Sequence, residues 1–111
     1  MATITIPGSV SGGNLGINDK KTIDGTTTQV VWQIPPRIGT ITIQAQVLTA
    51  GSYRVEATAS PIEDVQADSA DWFDALGADQ VASSMNPIIA AVTAIRVVRV
   101  AGSHRVCIRG Q

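Results

Sequence analysis

The sequence predicts a single all-β domain, an antiparallel β-sandwich of jelly-roll type led by a flexible N-terminal arm. Three observations carry that expectation. Apolar and polar residues alternate with a period of two over several stretches, the signature of strands with one buried face. The stretches are short and separated by Gly, Pro and Asn, as in sandwiches. The apolar mass is Val, Ile and Ala rather than rings, with 44% hydrophobic but only 4% aromatic residues, and β-branched side chains suit a pleated, half-buried surface. No fixed period recurs, which argues against a solenoid or propeller. The 111 residues suit one domain, divided into an arm over 1–16 and a sandwich over 17–111.

Within the arm, Thr3 to Ile6 is a short candidate strand, and Gly8 to Gly16 (GSVSGGNLG) is a flexible segment. That segment is not a phosphate loop, because no Lys-Ser/Thr pair and no strong helix follow it. Thr27 to Ile34 offers Val30, Trp32 and Ile34 to a core, and Pro35-Pro36 ends the strand. Thr40 to Thr49 alternates most cleanly, with Ile41, Ile43, Ala45 and Val47 opposite Thr42, Gln44 and Gln46. After Ala50-Gly51, Ser52 to Ser60 resumes the pattern with Tyr53, Val55, Ala57 and Ala59 opposite Arg54, Glu56 and Thr58. Two such runs around a short Gly-containing break read as a β-hairpin. Glu63 to Ala82 is acidic and not a strand, with a short helical turn expected around Ala70 to Leu76. Ala94 to Val100 is β-branched, and its slip at Val97-Val98 predicts a bulge or a strand covered on both faces. Ala101-Gly102-Ser103 then turns the chain into His104 to Arg109, a second expected hairpin.

Composition excludes several functions. A formal net charge of -1 gives no basic excess for nucleic acid. No apolar run approaches the ~20 residues of a membrane-spanning helix. The first residues lack a basic stretch leading into an apolar one, so no secretory leader is expected, and the chain should stay soluble where it is made. Charged residues are only 15% and mean hydropathy is +0.19. Both fit a surface partly covered by another chain, and equally a well-filled sandwich with Thr and Gln outside.

Candidate chemistry is sparse. His104 is the only histidine and falls in an expected surface turn, and Cys107 is the only cysteine. No base–orienter–nucleophile constellation suggests itself. Two Cys and His residues in all cannot build a zinc site, and a lone cysteine forms no internal disulfide. Arg105 and Arg109 flank Cys107 on the same strand face and could lower its pKa, but a bystander thiol is the preferred reading. No catalytic residue, metal or cofactor is therefore assigned. Six of the nine acids, Glu63, Asp64, Asp68, Asp71, Asp74 and Asp79, fall in one stretch without a base. The every-third spacing of Asp68, Asp71 and Asp74 departs from that of an EF-type Ca²⁺ loop. Arg96, Arg99, Arg105 and Arg109 gather in the expected terminal hairpin, so charge is segregated although the net is small. Opposed patches of this kind set register and partner choice between subunits. Trp72-Phe73 could stack on a sugar ring, or fold back with Leu76 to plug the open end of the sandwich, the preferred alternative. Trp32 belongs to the core.

The segments TITIQAQV (40–47), GSYRVEAT (51–58), DALG (74–77), AIRVVRV (94–100) and VCIRGQ (106–111) together resemble small β-sandwich virion structural proteins of tailed phages and prophages. The resemblance covers about residues 27–111. It implies a non-enzymatic virion component assembled in the host cytoplasm: a capsid decoration or cement protein first, a tail, neck or fibre component second. The partners implied are the major capsid protein, other virion proteins and further copies of the chain. In that picture contacts fall on Ile4, Ile6, Leu15 and Ile17 of the arm and its junction, and on Arg96, Arg99, Arg105, Arg109, Asp68, Asp71 and Asp74. The late Ile-Arg-Val strand is also similar to discoidin-like carbohydrate-binding sandwiches, in which Trp72 and Phe73 would stack on ligand. The opening segment and most of the length of those domains are absent here.

Overall fold

A computed structural model describes residues 3–6, 17–34, 40–88 and 92–110. Among these residues, nine strands and one short helix follow in the order β1 (Thr3–Ile6), β2 (Ile17–Ile23), β3 (Gln29–Gln33), β4 (Ile41–Thr49), β5 (Tyr53–Thr58), α1 (Ile62–Gln66), β6 (Phe73–Asp74), β7 (Ser84–Ile88), β8 (Ala94–Arg99) and β9 (Ser103–Gly110). One sheet has the order β1-β3-β8-β5-β6 and the other β2-β9-β4-β7. Numbered 1 to 8, strands β2 to β9 read 1-8-3-6 in one sheet and 2-7-4-5 in the other. That is the jelly roll, two interleaved Greek keys, as the sequence predicted.

The same topology overturns both expected hairpins. β4 and β5 lie in different sheets, and so do β8 and β9. Alternation around a short break specifies strand–turn–strand, but not whether hydrogen-bonding edges or inward faces come together. Here the inward faces meet, so each turn is an arch over the end of the core. The two arches pack on one another. Ser52 donates its N–H to the Ala101 carbonyl at 3.0 Å, and Val100 donates to the Ser52 carbonyl at 2.9 Å. A side chain at Gly51 would collide with the Ala101 carbonyl, and Gly102 holds φ +75° against the backbone of Thr49 and Ala50, a conformation that favours glycine. Among the described strands, the consecutive pair that does hydrogen-bond is β5 and β6, antiparallel and joined through α1.

Between the sheets lies a core of Ile23, Val30, Trp32, Ile41, Ile43, Tyr53, Val55, Ile95, Val97, Val106 and Ile108, all nearly or fully buried. Trp32 reaches the sandwich edge, where its Nε1–H donates to Asp19 Oδ2 at 2.9 Å. That bond explains why β2 was not foreseen. Its inward positions between Ile17 and Ile23 are Asp19 and Lys21, paired at 3.0 Å, so its alternation reads as polar. β7 was hidden by Pro87, which faces Thr42 on an edge strand, the place in a sheet where proline is tolerated. The slip at Val97-Val98 reflects cover on both faces, since Val97 joins the main core while Ala94, outward on the same strand, packs under α1. A register shift falls instead in β4, between Val47 and Thr49.

The helical turn lies at Ile62–Gln66, not around Ala70 to Leu76. Pro61 fixes the entry at φ -53°, and Glu63 and Asp64 in the first turn suit the partial positive charge there. Asp68, at φ +58°, ends the turn. One turn is too short to hold alone; Val65 anchors it on Val31 and Ala94.

The strand expected over 3–6 forms and pairs in parallel with β3, Ile4 opposite Val30 and Ile6 opposite Trp32. The remaining arm residues, Leu15 among them, lie outside the described residues, as do Pro35 and Pro36.

Burial pushes the Asp19 carboxyl up, but hydrogen bonds from Trp32, Lys21 and the Lys20 backbone, with the Lys21 charge, hold it below the ordinary value. A carboxylate depressed on folding adds stability above its unfolded pKa of about 3.9, and the gain is lost as pH falls toward the folded value. Urea denaturation at pH 7, 5 and 3 should show stability falling below about pH 4, and falling less in Asp19→Asn. Equal slopes in the two proteins would remove Asp19 as a source of acid lability.

Candidate functional site

Strand register sets the outer face of the β2-β9-β4-β7 sheet. Asn18, Arg109, Thr42 and Pro87 form one cross-strand row, and Lys20, Cys107, Gln44 and Met85 the next. Thr22, Arg105 and Gln46 form a third, in which the Arg105 guanidinium donates to Gln46 Oε1 at 3.1 Å. The three rows hold Lys20, Arg105 and Arg109 and no carboxylate. Met85 is 66% exposed and borders a shallow groove of about 300 Å³ with Gln44, Gln46, Ser83 and Ser84. Cys107 lies half-buried on this face between the two arginines.

Acids dominate the opposite outer face. α1 brings Glu63 and Asp64, and the following segment carries Asp68 and Asp71. β6 sets Asp74 opposite Glu56 of β5. Two bases on this side are already engaged. Arg96 donates to Glu56 Oε1 at 2.7 Å and lies 4.4 Å over the Trp72 ring. Arg54 pairs with Asp79 at 2.7 Å. Glu63, Asp68 and Asp71 are exposed and have no ion pair among the described residues. Asp74 Oδ1 accepts the Leu76 and Gly77 N–H groups at 3.0 and 2.9 Å, fixing the turn after β6. Among the described residues no three acids, His or Cys converge as metal ligands.

The four arginines expected together are therefore split between two sheets. Arg96 and Arg99 belong to β8 and turn to internal partners, Arg99 donating to the Gly102 carbonyl at 2.7 Å. Arg105 and Arg109 belong to β9 on the opposite face. Trp72 and Phe73 also part. Trp72 packs with Val31, Val65 and Ala94 on the outer face of its sheet, not over the open end, while Phe73 is 71% exposed. Leu76 does pack against the main core. Ile17 opens β2, half-buried against that core.

His104 is a core residue rather than a turn residue. It is fully buried in β9, its ring centroid 5.0 Å from that of Tyr53. Its Nε2 lies 2.8 Å from the Ala101 carbonyl, and Nδ1 has no hydrogen-bond partner among the described residues. From there it cannot reach a dissolved substrate. Lys20, a member of the basic face, went unnoticed in the sequence. Asn18, Lys20 and Thr22, alternating inside the frame of Ile17 and Ile23, were the available signal.

No protein-family model and no curated protein matches the chain. Among solved structures, it is similar to the Drosophila NLP core, whose structure is described as informing pentamer formation and histone binding. That similarity has a TM-score of 0.40 and 15% identity over 86% of this chain and 96% of the other. It is also similar to the pre-peptidase C-terminal domain of a Bacillus anthracis collagenase, with a TM-score of 0.45 and 12% identity over 96% and 93% of the two chains. At these values neither neighbour carries its partners or role over to this chain.

Proposed function

We propose that this chain is a non-enzymatic virion structural protein of a tailed phage, a decoration module that adds to a shell of major capsid protein. One observation carries the assembly role: a jelly roll whose two outer faces bear opposite charge, with no side-chain carboxylate in the described cross-strand rows of the basic face. Charge arranged in this way favours orientation and partner choice over chemistry. The segments resembling small phage proteins support the virion setting.

The purified chain should co-sediment with empty shells of a tailed phage and raise the temperature at which they disrupt. Binding to tail assemblies instead would move it to a tail, neck or fibre role. A chain that binds neither overturns the virion reading.

A further inference from the structure

The charges of the chain nearly cancel in number, and beyond the ion pairs Lys21–Asp19, Arg54–Asp79 and Arg96–Glu56 they are segregated in space. One outer face presents Lys20, Arg105 and Arg109 with no acid in their cross-strand rows, while Glu63, Asp68 and Asp71 on the other have no ion pair among the described residues. We infer that the outer face of the β2-β9-β4-β7 sheet is a docking surface for a second copy of this chain, whose acidic flank seats on it. The inference rests on the assembly reading and names the partner that the basic face takes.

Three arguments favour that occupant. The face is pre-shaped, because β9 is paired along its length on both sides by β2 and β4, so docking orders little backbone. Residues two apart on a strand lie about 7 Å apart, which sets Arg105 and Arg109 some 13 Å apart along β9, bracketing Cys107 and the Lys20–Gln44–Met85 row. A partner thus meets Cys107, Gln44 and Met85 at the centre, with Arg105 and Arg109 at the two ends and Lys20 on the edge strand β2. The arrangement expected of an interface is a less polar centre with a charged rim. Charge also selects among copies. Two basic faces laid together would oppose Lys20, Arg105 and Arg109 to their own counterparts, and like charges in register disfavour that contact. Face on flank satisfies both surfaces. A nucleic acid is poorly served, because three cations neutralise few phosphates and the acidic flank repels the rest of the polymer.

The basic face and the acidic flank are different surfaces on opposite sides of the sandwich, so the contact is heterologous. Each copy that docks leaves one free face and one free flank, and copies continue as a ring or an open row.

Neutral substitutions isolate the contact without creating new attractions. One variant carries Arg105→Gln and Arg109→Gln on the face; the other carries Asp68→Asn and Asp71→Asn on the flank. Circular dichroism confirms that each is folded. In sedimentation velocity at low salt the wild-type chain should form larger species as concentration rises, and lose them at high salt. Each variant alone should be monomeric where the wild type assembles. An equimolar mixture still contains one intact face and one intact flank, so it should form a dimer and nothing larger. A wild type that stays monomeric overturns the inference, as does a dimer unaffected by either variant or a mixture that fails to restore association. Shell co-sedimentation of the same samples separates the two readings. A monomer that binds shells refutes only face-to-flank docking, whereas self-association with neither shell nor tail binding refutes only the virion setting.

Discussion

Replacing Trp32 with alanine is expected to remove about 3–5 kcal/mol of stability, the usual cost of truncating a buried large aromatic residue. Trp32 is fully buried on the inward face of β3, among Ile, Val and Tyr side chains from both sheets. Domains of this size hold only about 5–15 kcal/mol in total, so the midpoint of thermal unfolding should fall by some 20 °C. Trp32→Phe separates packing from polarity. It keeps a ring in the core but removes the 2.9 Å bond from the indole to Asp19, leaving that part-buried carboxylate with Lys21 and a backbone amide. A loss of about 1–3 kcal/mol follows from the smaller ring and the unsatisfied acceptor together. Differential scanning calorimetry on the three proteins checks the order wild type, Trp32→Phe, Trp32→Ala. A phenylalanine variant as unstable as the alanine variant would mean that the hydrogen bond dominates the packing.

Gly51→Ala should cost a comparable amount through a different cause. The added methyl would lie inside the van der Waals shell of the Ala101 carbonyl and the Gly102 amide nitrogen. Both atoms are backbone and belong to the other arch, so neither can rotate aside. One arch has to lift from the other, breaking the Ser52 bonds that join them. A loss of about 3 kcal/mol is expected from overpacking of this kind. Gly102→Ala meets the backbone of Thr49 and Ala50 from the other side at φ +75°, which adds about 1–2 kcal/mol of left-handed strain. Gly25→Ala, with open space around its position, is the control and should unfold within about 0.5 kcal/mol of wild type. Urea denaturation of the three variants reads these differences directly. A Gly51→Ala protein as stable as the control would show that the arches do not press on one another.

The core was legible in the sequence because burial follows the pleat. Val30, Trp32, Ile41, Ile43, Tyr53, Val55, Val106 and Ile108 all face inward, as alternation required. Pairing was not legible, because period two is the same whether a turn closes a hairpin or an arch. The expectation of a jelly roll already conflicted with a hairpin at 40–60, since in that topology the chain changes sheet at this connection. His104 was misread for a related reason. Beside Ala101-Gly102-Ser103 it looks like part of an exposed turn, yet the arch folds that turn back over it and its ring packs on Tyr53. The charged surfaces depend on the same information. Arg99 and Arg105 are neighbours in the sequence but sit on different sheets, so the basic face could be recognised only once β9 was flanked by β2 and β4. Asp19 and Lys21 hid β2 by satisfying each other inside the sandwich edge.

The arches also govern how fast the chain finds its fold. With β5–β6 as the local pairing, the other antiparallel ladders join strands far apart in the sequence, and β2 with β9 brings Ile17 opposite Gly110. Each of those ladders requires a long loop to close before its contacts return any energy. Folding in the millisecond-to-second range is expected for such a topology. The crossing of the two turns brings Ser52 to Ala101, and with it the β4–β5 and β8–β9 segments, into one small knot of backbone hydrogen bonds. A chain in which that knot forms early has its two Greek keys already threaded in the correct order.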